Sequence, residues 1–143
     1  MLFGKTEQLV KRILVVEDEA LTAFDNESML GDLGYDVVGT VDSFEDAVRL
    51  LDKERVDLVM SDFRLRSDKT GVDLARAAKE RGVPTLFASG YEIPNPSEVA
   101  IGCLAKPYTE RQIKKALECI NRHLAGKSVK PQKGLTLFFA DQA

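Results

Sequence analysis

Acidic side chains stand directly after two short apolar runs of the sequence. Residues 12–16 (RILVV) are followed by Glu17 and Asp18, and residues 56–61 (VDLVMS) are followed by Asp62. Runs this short and rich in Val and Leu are typical of strands buried on both faces of a sheet. Because open parallel sheets bind ligands at the carboxyl ends of their strands, Asp62 is placed where chemistry occurs in such folds.

Two further apolar runs also end in polar groups, Ser89 after residues 83–88 (VPTLFA) and Lys106 after residues 103–105 (CLA). If these strands are neighbours, all of the polar side chains meet at one end of the sheet. Crowded carboxylates raise one another's pKa unless a cation joins them, and several hard oxygen ligands suit Mg²⁺. Lys106 supplies a point charge for a phosphate, and the Ser89 hydroxyl can donate to a phosphoryl oxygen. The set therefore equips Asp62 to accept a phosphoryl group as an acyl phosphate.

Each of these residues also has an ordinary structural interpretation. Asp62 can end a strand because Asp favours turns, and Glu17 with Asp18 can be an acidic pair at a helix N-terminus. Ser89 can be a turn former, and Lys106 a solvated lysine. The occurrence of all of these groups at strand ends, in one chain, favours the chemical interpretation.

Helical patterns separate the apolar runs. Gly34 ends the first helix, and Ser43 with Asp46 resembles a cap for the second. Thr109 with Gln112 caps the last. The helices are predicted near residues 20–33, 44–51, 72–81 and 110–124, with a further strand at residues 37–41. Five strands alternating with helices predict an α/β fold with a five-stranded parallel sheet and helices on both faces. Pro94 and Pro96 shorten any helix that precedes the fifth strand.

Composition narrows the class of protein. A chain of 143 residues, 44% hydrophobic and 30% charged, is typical of one globular domain. The net charge of −3 argues against nucleic acid or an anionic membrane as the main partner.

Cys103 and Cys119 lie in apolar contexts without metal-ligand spacing, so buried free thiols are expected. Without a membrane span or signal peptide in the sequence, we expect a cytoplasmic protein.

Over residues 11–124 the chain resembles the receiver domain of bacterial two-component response regulators. The matching motifs are ILVVEDE at residues 13–19, Asp62 closing the third strand, FASG at residues 87–90, and KPY at residues 106–108. The resemblance implies the flavodoxin-like strand order 2-1-3-4-5 and a cis peptide between Lys106 and Pro107. It implies a partner as well, a sensor histidine kinase or a phosphotransfer protein.

The resemblance also implies the roles of the site residues. Asp62 would be the phosphoacceptor, with Ser89 as the switch hydroxyl and Lys106 as the cation that pairs with phosphate. Mg²⁺ would be held by Asp18, Asp62 and the backbone carbonyl of Arg64. Glu17 would act on the metal largely through water.

The chain departs from the usual receiver pattern at two places. Receivers usually carry Tyr or Phe three residues before the lysine, where this chain has Cys103, and the interval from Ser89 to Lys106 is short. Both features resemble the atypical FATGUY receivers of alphaproteobacteria, which have Thr where Ser89 stands and are associated with HWE or HisKA2 kinases. We therefore expect the loop at residues 90–101 to change its order on phosphorylation. Tyr91 and Tyr108 could substitute as movable aromatics, but both are expected to pack at the surface.

The predicted organisation is an N-terminal extension at residues 1–10, a receiver domain at residues 11–125, and a linker with an apolar tail at residues 126–143. Only 143 − 125 = 18 residues follow the receiver, too few for an output domain. Output through protein contacts, or a phosphate sink, is expected. The strand-like stretch at residues 135–140 (LTLFFA) is expected to pack on its own core or, alternatively, in a homodimer.

Three other functions agree less well with the sequence. A pseudo-receiver that never takes phosphate is disfavoured because Asp18, Asp62 and Lys106 are all present. A haloacid dehalogenase-type phosphatase needs a second Asp two residues after the nucleophile, where this chain has Arg64. A flavodoxin-like FMN carrier needs a Ser/Thr-rich phosphate loop after the first strand, where Glu17 and Asp18 would repel phosphate. Catalysis beyond self-phosphorylation and self-dephosphorylation is not expected.

Overall fold

One sheet organises the chain. The computed structural model describes residues 9–66, 68–90 and 95–138. The elements in these ranges are β1 Arg12–Val16, α1 Ala20–Asp32, β2 Asp36–Val41, α2 Phe44–Lys53, β3 Leu58–Ser61, α3 Gly71–Glu80, β4 Thr85–Ser89, a 3₁₀ helix Pro96–Glu98, β5 Gly102–Ala105, α4 Glu110–Leu124 and β6 Leu135–Leu137. The strand order is β2-β1-β3-β4-β5-β6, so the predicted order 2-1-3-4-5 is confirmed. The Lys106–Pro107 peptide is cis, as the resemblance implied.

The sheet has six strands rather than the five that were predicted, because part of the C-terminal tail joins it. β6 runs antiparallel to β5, whereas the other five strands are parallel. A strand at the edge of a sheet leaves a row of N–H and C=O groups unpaired, and β6 satisfies those of β5. Residues 135–138 thus pack on their own domain, while residues 139 and 140 of the predicted tail strand lie outside the described part of the chain.

Two layers of helices cover the sheet. Side chains of a strand alternate between its faces, so β1 sends Ile13 and Val15 to one layer and Leu14 and Val16 to the other. The first layer is formed by α1 and α4, and the second by α2 and α3. The predicted placement of helices on both faces is confirmed. Because both faces are covered, the ends of the strands are the part of the sheet that is left open to a ligand.

Local signals place the helix ends. The Ser43 hydroxyl accepts a hydrogen bond of 3.1 Å from the Asp46 N–H, as predicted. The Thr109 hydroxyl accepts one of 3.2 Å from the Gln112 N–H, which completes a capping box. Gly34 has a φ of 92° just beyond α1, a conformation that favours glycine. The described residues between β4 and β5 form only the short Pro96–Glu98 turn, consistent with the helix-breaking effect predicted for proline.

Candidate functional site

The carboxyl ends of β1 and β3 lie side by side. Val16 pairs with Ser61 in the parallel register, and the Asp62 N–H donates a hydrogen bond of 3.0 Å to the Val16 carbonyl. The residues that follow β1 and β3 therefore leave the sheet at the same end, where the carboxyl ends of the strands lie. Carboxylate oxygens of Glu17, Asp18 and Asp62 all lie within 4.8 Å of one another. The structure thus brings together the three acids that the sequence analysis placed at strand ends.

Lys106 reaches this acidic cluster from the end of β5, although β4 lies between β5 and β3. Its Nζ lies 2.6 Å from Glu17 Oε1 and 3.2 Å from Asp62 Oδ2. The Lys106 side chain is 22% exposed, whereas the side chains of Glu17 and Asp62 are 2% and 8% exposed. One ammonium group therefore joins two nearly buried carboxylates from separate strands.

The first turn after β3 fixes the Asp62 carboxylate. Asp62 Oδ1 accepts a hydrogen bond of 2.7 Å from the Phe63 N–H, while the Ser61 hydroxyl donates to the Asp62 carbonyl at 2.8 Å. Oδ2 is the oxygen that faces Lys106. Asp62 thus has one oxygen bound to the backbone and one directed towards the cation.

Burial and charge oppose each other at this site. Burial raises the pKa of Glu17 above its ordinary value, and the hydrogen bond from Lys106 only partly offsets that effect. Burial alone would lower the pKa of Lys106, but the hydrogen bond to Glu17 and the charge of Asp62 outweigh it and raise that pKa. Lys106 is therefore held as a cation at neutral pH.

An open cleft of about 520 Å³ lies over these groups. The residues that line it are Glu17, Asp18, Glu19, Asp62, Arg64, Gly90 and Lys106. The exposed Arg64 is therefore at the cleft, where the resemblance assigned its carbonyl to the metal. Ser89 is nearly buried, 9% exposed, and its carbonyl accepts a hydrogen bond of 3.2 Å from the Lys106 N–H. Ser89 and Lys106 are thus tied at adjacent strand ends beside the cleft.

The donor set fits Mg²⁺. The ion prefers a few carboxylate oxygens and completes its coordination with water or phosphate oxygens. Glu17, Asp18 and Asp62 offer three such oxygens within 4.8 Å of one another, and all three residues line the open cleft. Because the carboxylates repel one another, a divalent cation beside them would stabilise the charged form of all three.

Gly71 contributes to the site and was missed by sequence reasoning, which predicted the third helix to begin only near residue 72. A Cβ at this position would lie 2.3 Å from the Asp62 carbonyl oxygen and 3.0 Å from Phe63 Cα. The Gly71 N–H donates a hydrogen bond of 2.7 Å to the Phe63 carbonyl. Only glycine lets the start of α3 pack this closely on the turn that carries Asp62. A glycine after Thr70, at the first helical position, was the available signal.

The expectation that Tyr108 packs at the surface is wrong. The Tyr108 hydroxyl donates a hydrogen bond of 2.7 Å to Oδ1 of Asn26, a residue of α1 that is 2% exposed. Burial raises the pKa of Tyr108 to about 12. The bond joins the loop that carries Lys106 to the helix that follows Glu17 and Asp18. Tyr91, the other aromatic that flanks the site in sequence, lies outside the described residues.

The fold and the site define a class of protein, an open α/β sheet with an acidic cleft and a facing lysine at the carboxyl ends of its strands. The family model of the response regulator receiver domain matches residues 13–118, more than half of the chain. This protein belongs to the response regulator receiver domain family. In the described part of the chain, no helix combines the length and the apolar character needed to cross a membrane.

Relatives and solved structures agree with this assignment. The chain is 29% identical over 109 residues to the phyllosphere-induced regulator PhyR of Methylorubrum extorquens, covering 70% of this chain and 39% of PhyR. It spans about half or less of the length of the curated relatives it matches first. A receiver domain of a modulated diguanylate cyclase from Desulfovibrio desulfuricans superposes with a TM-score of 0.72 at 28% identity, covering 82% of this chain and 97% of that one.

A receiver domain of a sensor histidine kinase from Pseudomonas aeruginosa is also similar. It superposes with a TM-score of 0.67 at 26% identity, and the match covers 82% of this chain and 99% of that one. That structure has a magnesium ion coordinated in its active-site cleft.

We predict that Gly71→Ala lowers the free energy of unfolding by about 1–3 kcal/mol, because the added methyl group overlaps the Asp62 backbone. Urea denaturation followed by circular dichroism measures the change. Gly31→Ala is the matched control, since a methyl group added there would have no neighbour within 4 Å, and alanine in a helix should raise stability by about 0.5–1 kcal/mol. Equal effects of the two substitutions would contradict the close approach at Gly71.

We predict a difference between wild type and Tyr108→Phe that depends on pH. The pKa of Tyr108 is raised from 10.0 to about 12, so the unfolded chain loses this proton first. The stability due to the hydroxyl is therefore complete below pH 10 and is lost as the pH rises towards 12. The wild type should lose up to about 2–3 kcal/mol more than Tyr108→Phe over this range. If the difference in free energy of unfolding between wild type and Tyr108→Phe stays constant from pH 9 upwards, the buried hydrogen bond is contradicted.

Proposed function

We propose that Asp62 accepts a phosphoryl group from a histidine kinase in a Mg²⁺-dependent reaction, and that the protein is a response regulator. The observation that carries the proposal is the position of the Asp62 carboxylate, 3.2 Å from the Lys106 ammonium and within 4.8 Å of carboxylate oxygens of Glu17 and Asp18. The magnesium ion in the Pseudomonas aeruginosa receiver supports the metal requirement.

In the proposed reaction, an oxygen of Asp62 forms a bond to phosphorus while the bond from phosphorus to the donor nitrogen of a phosphohistidine breaks. The electron pair of that bond stays on the imidazole of the kinase. Bound Mg²⁺ would neutralise charge on the phosphoryl oxygens. The product is a mixed anhydride on Asp62, which water hydrolyses back to the carboxylate.

The residues of the chain have distinct tasks in this proposal. Lys106 presents its ammonium to the phosphoryl oxygens and offsets their charge. Asp18 and Asp62 would hold the metal together with the carbonyl of Arg64, and Glu17 would contribute through water. The Ser89 hydroxyl donates to a phosphoryl oxygen. The cleft lies at the carboxyl ends of the strands, which the helical layers on the two faces of the sheet leave accessible to a donor.

The proposal extends to the phosphate donor, the output and the location of the protein. We infer a donor of the HWE or HisKA2 kinase type, or a phosphotransfer protein, from the two FATGUY-like departures, which are Cys103 in place of the usual aromatic and the short interval from Ser89 to Lys106. Output would proceed by protein contacts or by passing phosphate on, without catalysis beyond self-phosphorylation and self-dephosphorylation. A cytoplasmic location belongs to the same proposal.

We predict that Asp62→Asn abolishes labelling by a small acyl phosphate in the presence of Mg²⁺. The amide is a poor nucleophile and cannot form the anhydride. Intact-mass spectrometry detects one added phosphoryl group on the wild type. Asp68→Asn is the matched control, because Asp68 is an exposed acid of the following loop and its loss should leave labelling unchanged.

The same experiment separates the proposal from a pseudo-receiver, the interaction module that never takes phosphate. A wild type that gains no mass with acyl phosphate and Mg²⁺, and does not bind beryllofluoride, would establish the pseudo-receiver. Labelling that persists in Asp62→Asn would move the phosphoacceptor to another residue.

We predict that Asp18→Asn weakens Mg²⁺ binding by at least about tenfold, equivalent to about 1.4 kcal/mol. The substitution removes one of the three carboxylates whose oxygens lie within 4.8 Å of one another. Isothermal titration calorimetry measures the affinity. Asp25→Asn is the control, since this exposed acid of α1 is outside the cluster. An Asp18→Asn protein with wild-type affinity would place the ion elsewhere.

A further inference from the structure

The C-terminal strand β6 is hydrogen-bonded at both ends of β5. The Phe138 N–H donates to the Ile101 carbonyl at 3.1 Å, and the Ala105 N–H donates to the Gly134 carbonyl at 2.8 Å. Ala105 immediately precedes Lys106. The tail is therefore bound to the strand that holds the lysine of the site, and it is also bound at the point where that strand begins.

The second link between the tail and the site is apolar. Phe138 packs against a buried cluster of Ala75, Phe87, Val99 and Ala100, in which Cys103 also takes part. Phe87 lies two residues before Ser89 on β4, and Cys103 lies three residues before Lys106 on β5. Phe138 and Cys103 thus pack against the same buried cluster, and Cys103 is the position at which the chain lacks the aromatic usual for receivers.

Close packing of β6 depends on Gly102. A Cβ on Gly102 would lie 2.8 Å from the Thr136 carbonyl oxygen and 3.1 Å from Leu137 Cδ2. The same Cβ would be in ordinary contact, 3.6 Å, with Leu86 of the neighbouring strand. A methyl group at this position would therefore act against the docked tail far more than against the parallel part of the sheet.

We propose that residues 134–138 form a strand that docks on β5 in the unphosphorylated protein and is released when Asp62 is phosphorylated. The inference rests on the proposed function of Asp62. A phosphoryl group draws Lys106 and the Ser89 hydroxyl towards itself, and both residues end strands against which the tail is packed. A three-residue strand with half-buried side chains is the kind of element that opens locally.

Coupling of this kind is reciprocal. If phosphorylation releases the tail, then an undocked tail must favour the phosphorylated state by the same factor. Variants that undock β6 should therefore bind a phosphoryl mimic more tightly than the wild type. A tail that merely supports the fold would give the opposite result, because its loss would loosen β5 and Lys106.

The test uses the full chain with Mg²⁺ and beryllofluoride as the phosphoryl mimic. Affinity is measured by NMR titration for the wild type, Gly102→Ala and Phe138→Ala. We expect both variants to bind about fivefold more tightly or better, the lower end of typical coupling between sites. Gly31→Ala and the exposed Thr136→Ser are controls that should stay within about twofold of the wild type.

Amide exchange provides the second readout. Beryllofluoride should speed exchange of the Phe138 and Ala105 amides in the wild type, since both hydrogen bonds are broken when β6 leaves. Unchanged or weaker affinity in both undocking variants overturns the inference, and so do Phe138 and Ala105 amides that stay equally protected. A wild type that binds no beryllofluoride refutes the proposed function itself, which is a distinct result. If Gly102→Ala fails to fold, Phe138→Ala decides.

Discussion

The ion pairs of Lys106 are the interaction on which the site depends. Charged pairs at the surface contribute little, at most about 1 kcal/mol, and Arg49 with Asp46 is such a pair, with side chains 70% and 46% exposed. The pair of Lys106 with Glu17 differs, because the Glu17 side chain is 2% exposed and the bond length is 2.6 Å. Burial makes a lone charge there costly, so the lysine and the acids stabilise one another's charged forms. Without Lys106, the nearly buried carboxylates of Glu17 and Asp62 would repel each other.

Backbone packing sets the distances within this charged cluster. The parallel register of β1 and β3 brings the acids together, and α3 reaches the Asp62 turn because Gly71 has no side chain. The bond between Tyr108 and Asn26 ties the Lys106 loop to α1 from the other side. Contacts with neighbouring backbone and side chains thus hold the reactive carboxylate, while the C-terminal strand is the element that we propose to be released.

Much of this arrangement could be predicted from local patterns. Four short apolar runs are followed by polar residues, among them Asp18, Asp62, Ser89 and Lys106. These runs predicted both the positions of the strands and the chemical groups at their ends. The order of the first five strands was implied by the family resemblance, while the alternation of strands and helices predicted a parallel sheet. The capping signal at Ser43 predicted one helix start to the residue.

Other features depend on contacts between distant residues, which local patterns do not specify. β6 pairs with Gly102–Ala105 across about thirty residues of chain, so an apolar stretch near the C-terminus could not disclose its partner. The close approach of Gly71 to Asp62 and the bond from Tyr108 to Asn26 are likewise tertiary. A glycine after a helix cap and a tyrosine after a proline are common in loops, so their types alone favoured the simpler interpretations.

We propose that acids from the ends of two strands form one divalent-cation site beside Lys106. Paramagnetic broadening by Mn²⁺, which accepts the same oxygen ligands, tests it most directly by NMR. We expect that low Mn²⁺ broadens the amide signals of Asp18, Asp62 and Gly90, that excess Mg²⁺ restores them, and that Arg12 at the opposite end of β1 is unaffected. Broadening spread over the exposed acids of the surface, with Asp18 and Asp62 unchanged, would contradict the claim.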